Sequence, residues 1–145
     1  KKSSNGSHIG IAFDIELNPN GQKHPFYKGK KNKFCSPAFN FDEVVTLPKD
    51  AILLASNNIN KISSISFNHE KSEIWGIQYH PEIKYEKMIE LIKFRKDRLI
   101  NQRKAFKSYD EIDHHISLIK NELSKSEINH RMIELKNWLG SINGN

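Results

Sequence analysis

The sequence predicts an α/β chain in which a β-rich part, residues 1–83, is followed by a helical part, residues 84–145. Two observations carry this. Up to residue 83, short apolar, β-prone runs alternate with clusters of Asn, Pro, Gly, Ser and Asp, the pattern of short strands joined by tight turns. Beyond it, apolar residues recur every three or four positions, the spacing of amphipathic helices. The first part reads as the β-rich half of a larger α/β domain and the second as a helical extension packed on it.

Taken in order, residues 8–17 place Ile9, Ile11, Phe13, Ile15 and Leu17 at alternate positions, which predicts one half-buried strand. Asn18-Pro19-Asn20-Gly21 is dense in turn formers and ends it. His24-Pro25-Phe26-Tyr27-Lys28-Gly29 predicts a short connector of one helical turn, its aromatics covering the sheet edge. Residues 33–47 are apolar at Phe34, Ala38, Phe39, Phe41, Val44, Val45 and Leu47, but Pro37 lacks the N–H a central strand needs. Ala51–Ala55 is a brief apolar strand, and Ile62, Ile65 and Phe67 mark another. A third strand should run through Ile74, Trp75, Ile77 and Tyr79. Met88, Leu91, Ile92, Leu99 and Ile100 predict a helix over 84–103. Ser108 or Asp110 can cap a second, striped by Ile112, Ile116, Ile119 and Leu123. A third runs from about Glu127, capped by Ser126 and stopped by Gly140.

Bulk properties narrow the class. The 145 residues make one domain's worth of chain, 37% hydrophobic and 28% charged, with a mean hydropathy of −0.67. No apolar run approaches the ~20 residues of a membrane-spanning helix. The opening residues show no secretory h-region, and the single cysteine allows no internal disulfide, so a reducing, cytoplasmic setting is expected. Residue 1 is not methionine and lies in a polar stretch, which reads as a fragment that has lost an amino-terminal half. The net charge is +6. Its densest run, Lys93-Phe94-Arg95-Lys96-Asp97-Arg98 with Arg103, Lys104 and Lys107, has few interleaved aromatics. It reads as a solvated helix face, and nucleic acid is not the expected partner.

The chemistry points to one place. Trp75-Gly76-Ile77-Gln78-Tyr79-His80-Pro81-Glu82 begins as a strand and ends at a His-Pro step. Proline biases the preceding residue to an extended conformation, which puts His80 at the last extended position of a buried strand. Glu82 follows two residues on, within reach of the same ring. An imidazole beside a carboxylate is what a general base and its orienting partner require.

This octet resembles the last catalytic signature of class I (triad-type) glutamine amidotransferases, which runs apolar, Gly, apolar, Gln, aromatic, His, Pro, Glu. Weaker likenesses extend along the chain. Residues 41–48 and 51–56 resemble the segment before the family's last strands, with Asn40 where relatives often have His. His8 stands where they often have Glu. Residues 24–29 fit a family His-Pro turn, and Arg131-Met132-Ile133-Glu134-Leu135-Lys136-Asn137-Trp138-Leu139 resembles the close of the GMP-synthase-like stand-alone group. The resemblance implies the carboxyl-terminal part of a flavodoxin-like α/β domain, with a Cys-His-Glu triad in which His80 is the base and Glu82 its partner. It also implies glutamine as substrate, an acceptor or synthetase to receive the ammonia, and neither cofactor nor metal.

The implied nucleophile has no match. Cys35 lies in Lys33-Phe34-Cys35-Ser36-Pro37, without the flanking glycines of the family's elbow and with Pro37 where a helix should begin. It reads as a small core residue, so the chain alone is expected to be inactive. The alternative is a non-catalytic binding or regulatory module with a basic helical tail. His114 and His115 are adjacent on a predicted helix and face different ways, so they predict no metal site. Trp75 and Trp138 are expected in the core or at a seam.

Overall fold

Residues 8–17 alternate like a single strand but fold as two. The computed structural model, which describes residues 1–125 and 127–142, places β1 at His8–Ile9 and β2 at Ala12–Leu17. Gly10, at φ 82°, makes the break. A Cβ there would sit 2.7 Å from Ile92 Cδ1 and 2.9 Å from Ile119 Cδ1, so both the backbone angle and the packing call for glycine. A second irregularity follows. Ala12 pairs with Ser36 and Ile15 with Phe34, so Phe13 and Asp14 together oppose Cys35. Asp14 takes φ 52°, and the pair forms a β-bulge. The bulge turns Phe13 outward and keeps Ala12 and Ile15 inward.

Asn18-Pro19 starts a short helix, α1 (Pro19–Lys23), rather than a plain turn. Asn18 caps it by accepting from the Gly21 N–H at 2.9 Å, and Pro19 fills the first position. Pro25–Tyr27 forms one 3-10 turn, as expected of the connector. Strand β3 (Lys33–Ser36) stops at Pro37, and β4 (Phe39–Asn40) pairs antiparallel with β1. Strands β5 (Ile52–Ser56), β6 (Ser64–His69) and β7 (Ser72–Ile77) follow. The five-stranded sheet has the order β3-β2-β5-β6-β7, and every neighbouring pair in it is antiparallel.

Helix α2 (Tyr85–Asn101) buries Tyr85, Met88, Ile89, Ile92 and Leu99. Ile89 joins the stripe, and Leu91 is only half-buried. Helix α3 (Tyr109–Lys125) buries Ile112, Ile116 and Ile119 as its spacing predicts. Its start is a near capping box: Ser108 Oγ accepts from the Glu111 N–H at 3.3 Å, and the Glu111 carboxylate accepts from the Lys107 N–H at 2.6 Å. The expected third helix is two, α4 (Ile128–Arg131) and α5 (Ile133–Ile142), and α5 passes through Gly140 without stopping. The Ser126 cap lies outside the described residues.

Two apolar clusters organise these elements. Ala12, Ile15, Leu17, Phe34, Leu54 and Ala55 of the sheet close over Phe26, Tyr27, Ala38 and Tyr79. Ile9 and Ile11 meet the stripes of α2 and α3, each fully buried aliphatic side chain stabilising by roughly 1.5–3 kcal/mol. Trp75 packs half-buried at the margin of the first cluster. Trp138 does not: it is 42% exposed on the outer side of α5. No helix among the described residues is long and apolar enough to cross a membrane.

Candidate active site

Strand β7 ends at Ile77, three residues before His80, so His80 is not the last extended residue of a strand. Nor is the strand buried. It is the sheet's edge, and Ser72, Glu73 and Ile74 are exposed. The run from Gln78 to Glu82 leaves the sheet and is held by separate bonds. The Gln78 N–H donates to Ser63 O at 2.9 Å and the His80 N–H to Pro37 O at 2.7 Å. Asn60 Nδ2 donates to the Gln78 side-chain oxygen at 2.8 Å, and Asn40 Nδ2 to the Gln78 carbonyl at 3.0 Å. The Ile83 N–H closes the turn onto His80 O at 3.1 Å.

On this turn His80 and Glu82 meet, with His80 Nδ1 2.9 Å from Glu82 Oε1. Both side chains are 49% exposed, while Tyr79 and Pro81 beside them are buried. An ionised carboxylate only accepts, so the bond requires the proton on Nδ1. In the neutral ring that leaves the lone pair on Nε2, free to take a proton from a third group.

Behind the turn lies a polar cluster that sequence reasoning missed. Tyr79 Oη donates to Glu134 Oε1 at 2.9 Å and lies 2.7 Å from Tyr27 Oη. Lys30 Nζ donates to Glu134 Oε2 at 2.8 Å and to the carbonyls of His130 and Arg131 at 2.9 and 3.2 Å. Burial lowers the Lys30 ammonium from the ordinary lysine value, and Glu134 opposes the shift. Arg131 Nε donates to Pro81 O at 3.1 Å. The signal open to a sequence reader was the charged Arg131 and Glu134 on the inner side of a helical stretch. Their partners lie 50 or more positions away.

The remaining candidates separate from this site. Cys35 sits on β3 against the Ile9–Ile11 cluster, and burial pushes its thiol up to about 11, leaving it protonated at neutral pH. His8 is buried, its Nε2 3.3 Å from Asn57 Nδ2. His115 Nε2 donates to Ile9 O at 2.6 Å, whereas His114 lines a separate surface pocket with Phe106. No group of three or more His, Cys, Asp or Glu among the described residues could hold a metal. Arg95, Arg98 and Arg103 line a pocket of about 230 Å³ with Phe39 and Phe41. Arg95 lies over the Phe39 ring at 5.3 Å and Arg103 over Phe41 at 4.5 Å.

No protein-family model matches the chain. The chain is 37% identical over 73 residues to the gamma-glutamyl-L-1-hydroxyisopropylamide hydrolase of a Pseudomonas species, covering 50% of this chain and 24% of that protein. It is 38% identical over 71 residues to a subunit of the glutamine-hydrolysing GMP synthase of Methanosphaera stadtmanae, covering 49% and 37%. The chain thus aligns with only 24% and 37% of the length of these two curated relatives. Among solved structures, SMU.1228c superposes with a TM-score of 0.65 at 16% identity, over 98% of this chain and 54% of that one. A glutamine amidotransferase from Thermotoga maritima superposes at 0.59 and 17% identity, over 97% and 53%. The fold is therefore the α/β fold of the glutamine amidotransferases. In sequence the chain is similar, over a little under half its length, to subunits of glutamine-hydrolysing GMP synthases, and in fold to a glutamine amidotransferase.

Proposed function

We propose that these residues supply the general base His80 and its orienting carboxylate Glu82 to an active site that hydrolyses the side-chain amide of glutamine. The observation that carries this reading is the 2.9 Å His80–Glu82 contact within the octet. Both relatives above bear names that specify hydrolysis of a γ-glutamyl amide or of glutamine, the same bond class. In the proposed reaction a thiol from outside these residues attacks the γ-carboxamide carbon, and His80 Nε2 takes its proton. The same proton passes to the departing nitrogen, which leaves as ammonia. Water, deprotonated by His80, then attacks the thioester and releases glutamate and the thiol. Glu82 holds the ring and stabilises its charge while the proton resides there. The ammonia passes to an acceptor or synthetase partner.

On this proposal the 145 residues alone release no ammonia from glutamine, because Cys35 is protonated and lies in a different cluster from the octet. A longer protein that adds the thiol releases it. Release by the 145 residues alone, abolished by Cys35→Ser, overturns the missing-thiol part of the proposal. A second reading, a binding module, is favoured by the Arg95–Arg98–Arg103 pocket, whose guanidiniums have no carboxylate within 4 Å among the described residues. Salt-sensitive binding of duplex DNA or RNA, weakened by Arg95→Ala, supports that reading. Unchanged mobility of the nucleic acid in low salt rejects it.

A further inference from the structure

We propose that Arg131 and Tyr79, working with Glu134, are positioning residues that set where the His80 imidazole stands. This deepens the catalytic reading above and rests on it. The sheet ladder ends at Ile77, so the strand itself does not fix the orientation of residues 78–82. Beyond the bonds that hold Gln78 and the His80 N–H, the turn is gripped on either side of His80. Ahead of it, the Tyr79 hydroxyl is bonded to Glu134, which is fully buried and neutralised by Lys30. Behind it, the Pro81 carbonyl, the backbone group between the base and its carboxylate, accepts from Arg131.

Arg131 is held in turn. It is 6% exposed, and its guanidinium lies over the Tyr85 ring at 5.8 Å. Lys30 binds the carbonyls of His130 and Arg131 at the end of α4, joining both grips into one buried corner. His80 and Glu82 are half-exposed and touch each other through a single bond. A pair so exposed cannot hold its own geometry against solvent, and a displacement of about 1 Å in a reacting group costs on the order of 100-fold in rate. The buried corner therefore supplies the rigidity that the exposed pair lacks.

The test uses a longer protein that supplies the proposed thiol, with Arg131→Met, Arg131→Lys and Tyr79→Phe. Two quantities are read: kcat and KM for glutamine hydrolysis, and the Nδ1 proton of His80 in a ¹⁵N-histidine-labelled sample, assigned by its loss in His80→Gln. Arg131→Met should lower kcat about 10- to 100-fold with KM within about twofold, and broaden the Nδ1 proton. Arg131→Lys, which keeps a donor near Pro81 O, should recover part of both. Tyr79→Phe removes one hydroxyl without changing shape and carries the test if Arg131→Met fails to fold. Unchanged kcat and an unchanged Nδ1 proton in both Arg131→Met and Tyr79→Phe overturn the proposal. If the parent protein hydrolyses no glutamine but the Nδ1 proton still responds to Arg131, the catalytic reading fails and the positioning survives.

Discussion

Two acid–base pairs, one on the turn and one buried behind it, differ in almost everything but length. His80–Glu82 spans 2.9 Å with each side chain half in solvent, and Lys30–Glu134 spans 2.8 Å with the partners 1% and 0% exposed. In water-screened surroundings the first contributes at most about 1 kcal/mol to stability. The second also gains little net against an apolar core, because removing two charges from water offsets their attraction. The two part company when one partner is deleted. The exposed pair leaves a hydrated ion, and the buried pair leaves a stranded one. Exposure suits the pair proposed to exchange protons with a substrate, and burial suits a pair that holds its surroundings in place.

The largest effect that could break this contrast is Glu134→Ala. It leaves the Lys30 ammonium buried and Tyr79 Oη without its acceptor, and should cost about 3–5 kcal/mol in urea unfolding. The double variant Lys30→Met with Glu134→Leu should cost clearly less than Glu134→Ala alone. If the single and double variants lose equal stability, the charge-stranding account of the buried pair is wrong.

His8 sharpens the contrast by showing burial without an opposing charge. Desolvation lowers it from 6.5 to about 4. Its folded-state value lies below the unfolded one, so the native state resists the proton that the unfolded chain accepts. Stability is therefore full above pH 6.5 and lost as pH falls toward 4, by about 3 kcal/mol in all. Denaturant titrations of the parent and of His8→Gln at pH 7 and pH 4 should show this difference in slope with pH. Parallel behaviour of the two proteins between these pH values would place the acid sensitivity elsewhere.

The smallest structural effect belongs to the residue of greatest proposed chemical consequence. Glu82→Gln should change the unfolding free energy by less than about 1 kcal/mol, read from the same denaturant curves. A loss of several kcal/mol would mean that Glu82 holds the fold together rather than orienting His80.

The features that were legible in the sequence are local ones. The octet sits within eight consecutive residues, so its His-Pro-Glu turn announces itself, and the stripe of α3 reads directly from Ile112, Ile116 and Ile119. What depended on distant partners was not legible. The bulge at Phe13 and Asp14 is hidden because the apolar alternation runs straight through it, and only pairing with β3 shows two residues facing one. The end of β7 at Ile77 is hidden because apolar Tyr79 continues the pattern. Its burial comes from the Phe34 and Tyr27 cluster and from Glu134 rather than from the sheet ladder. Lys30 and Glu134 are 104 positions apart, and neither position alone carries a sign that the two charges neutralise each other in the core.

The proposed chemistry needs an imidazole that takes a thiol's proton while its neighbouring carboxylate holds it in place. The direct measurement is ammonia released from glutamine by a longer protein that supplies such a thiol, with and without His80→Ala. The account predicts a loss of at least ~100-fold, the scale of a general base removed from a committed proton transfer, with the melting temperature unchanged. Ammonia release that proceeds at the parent rate in His80→Ala contradicts it.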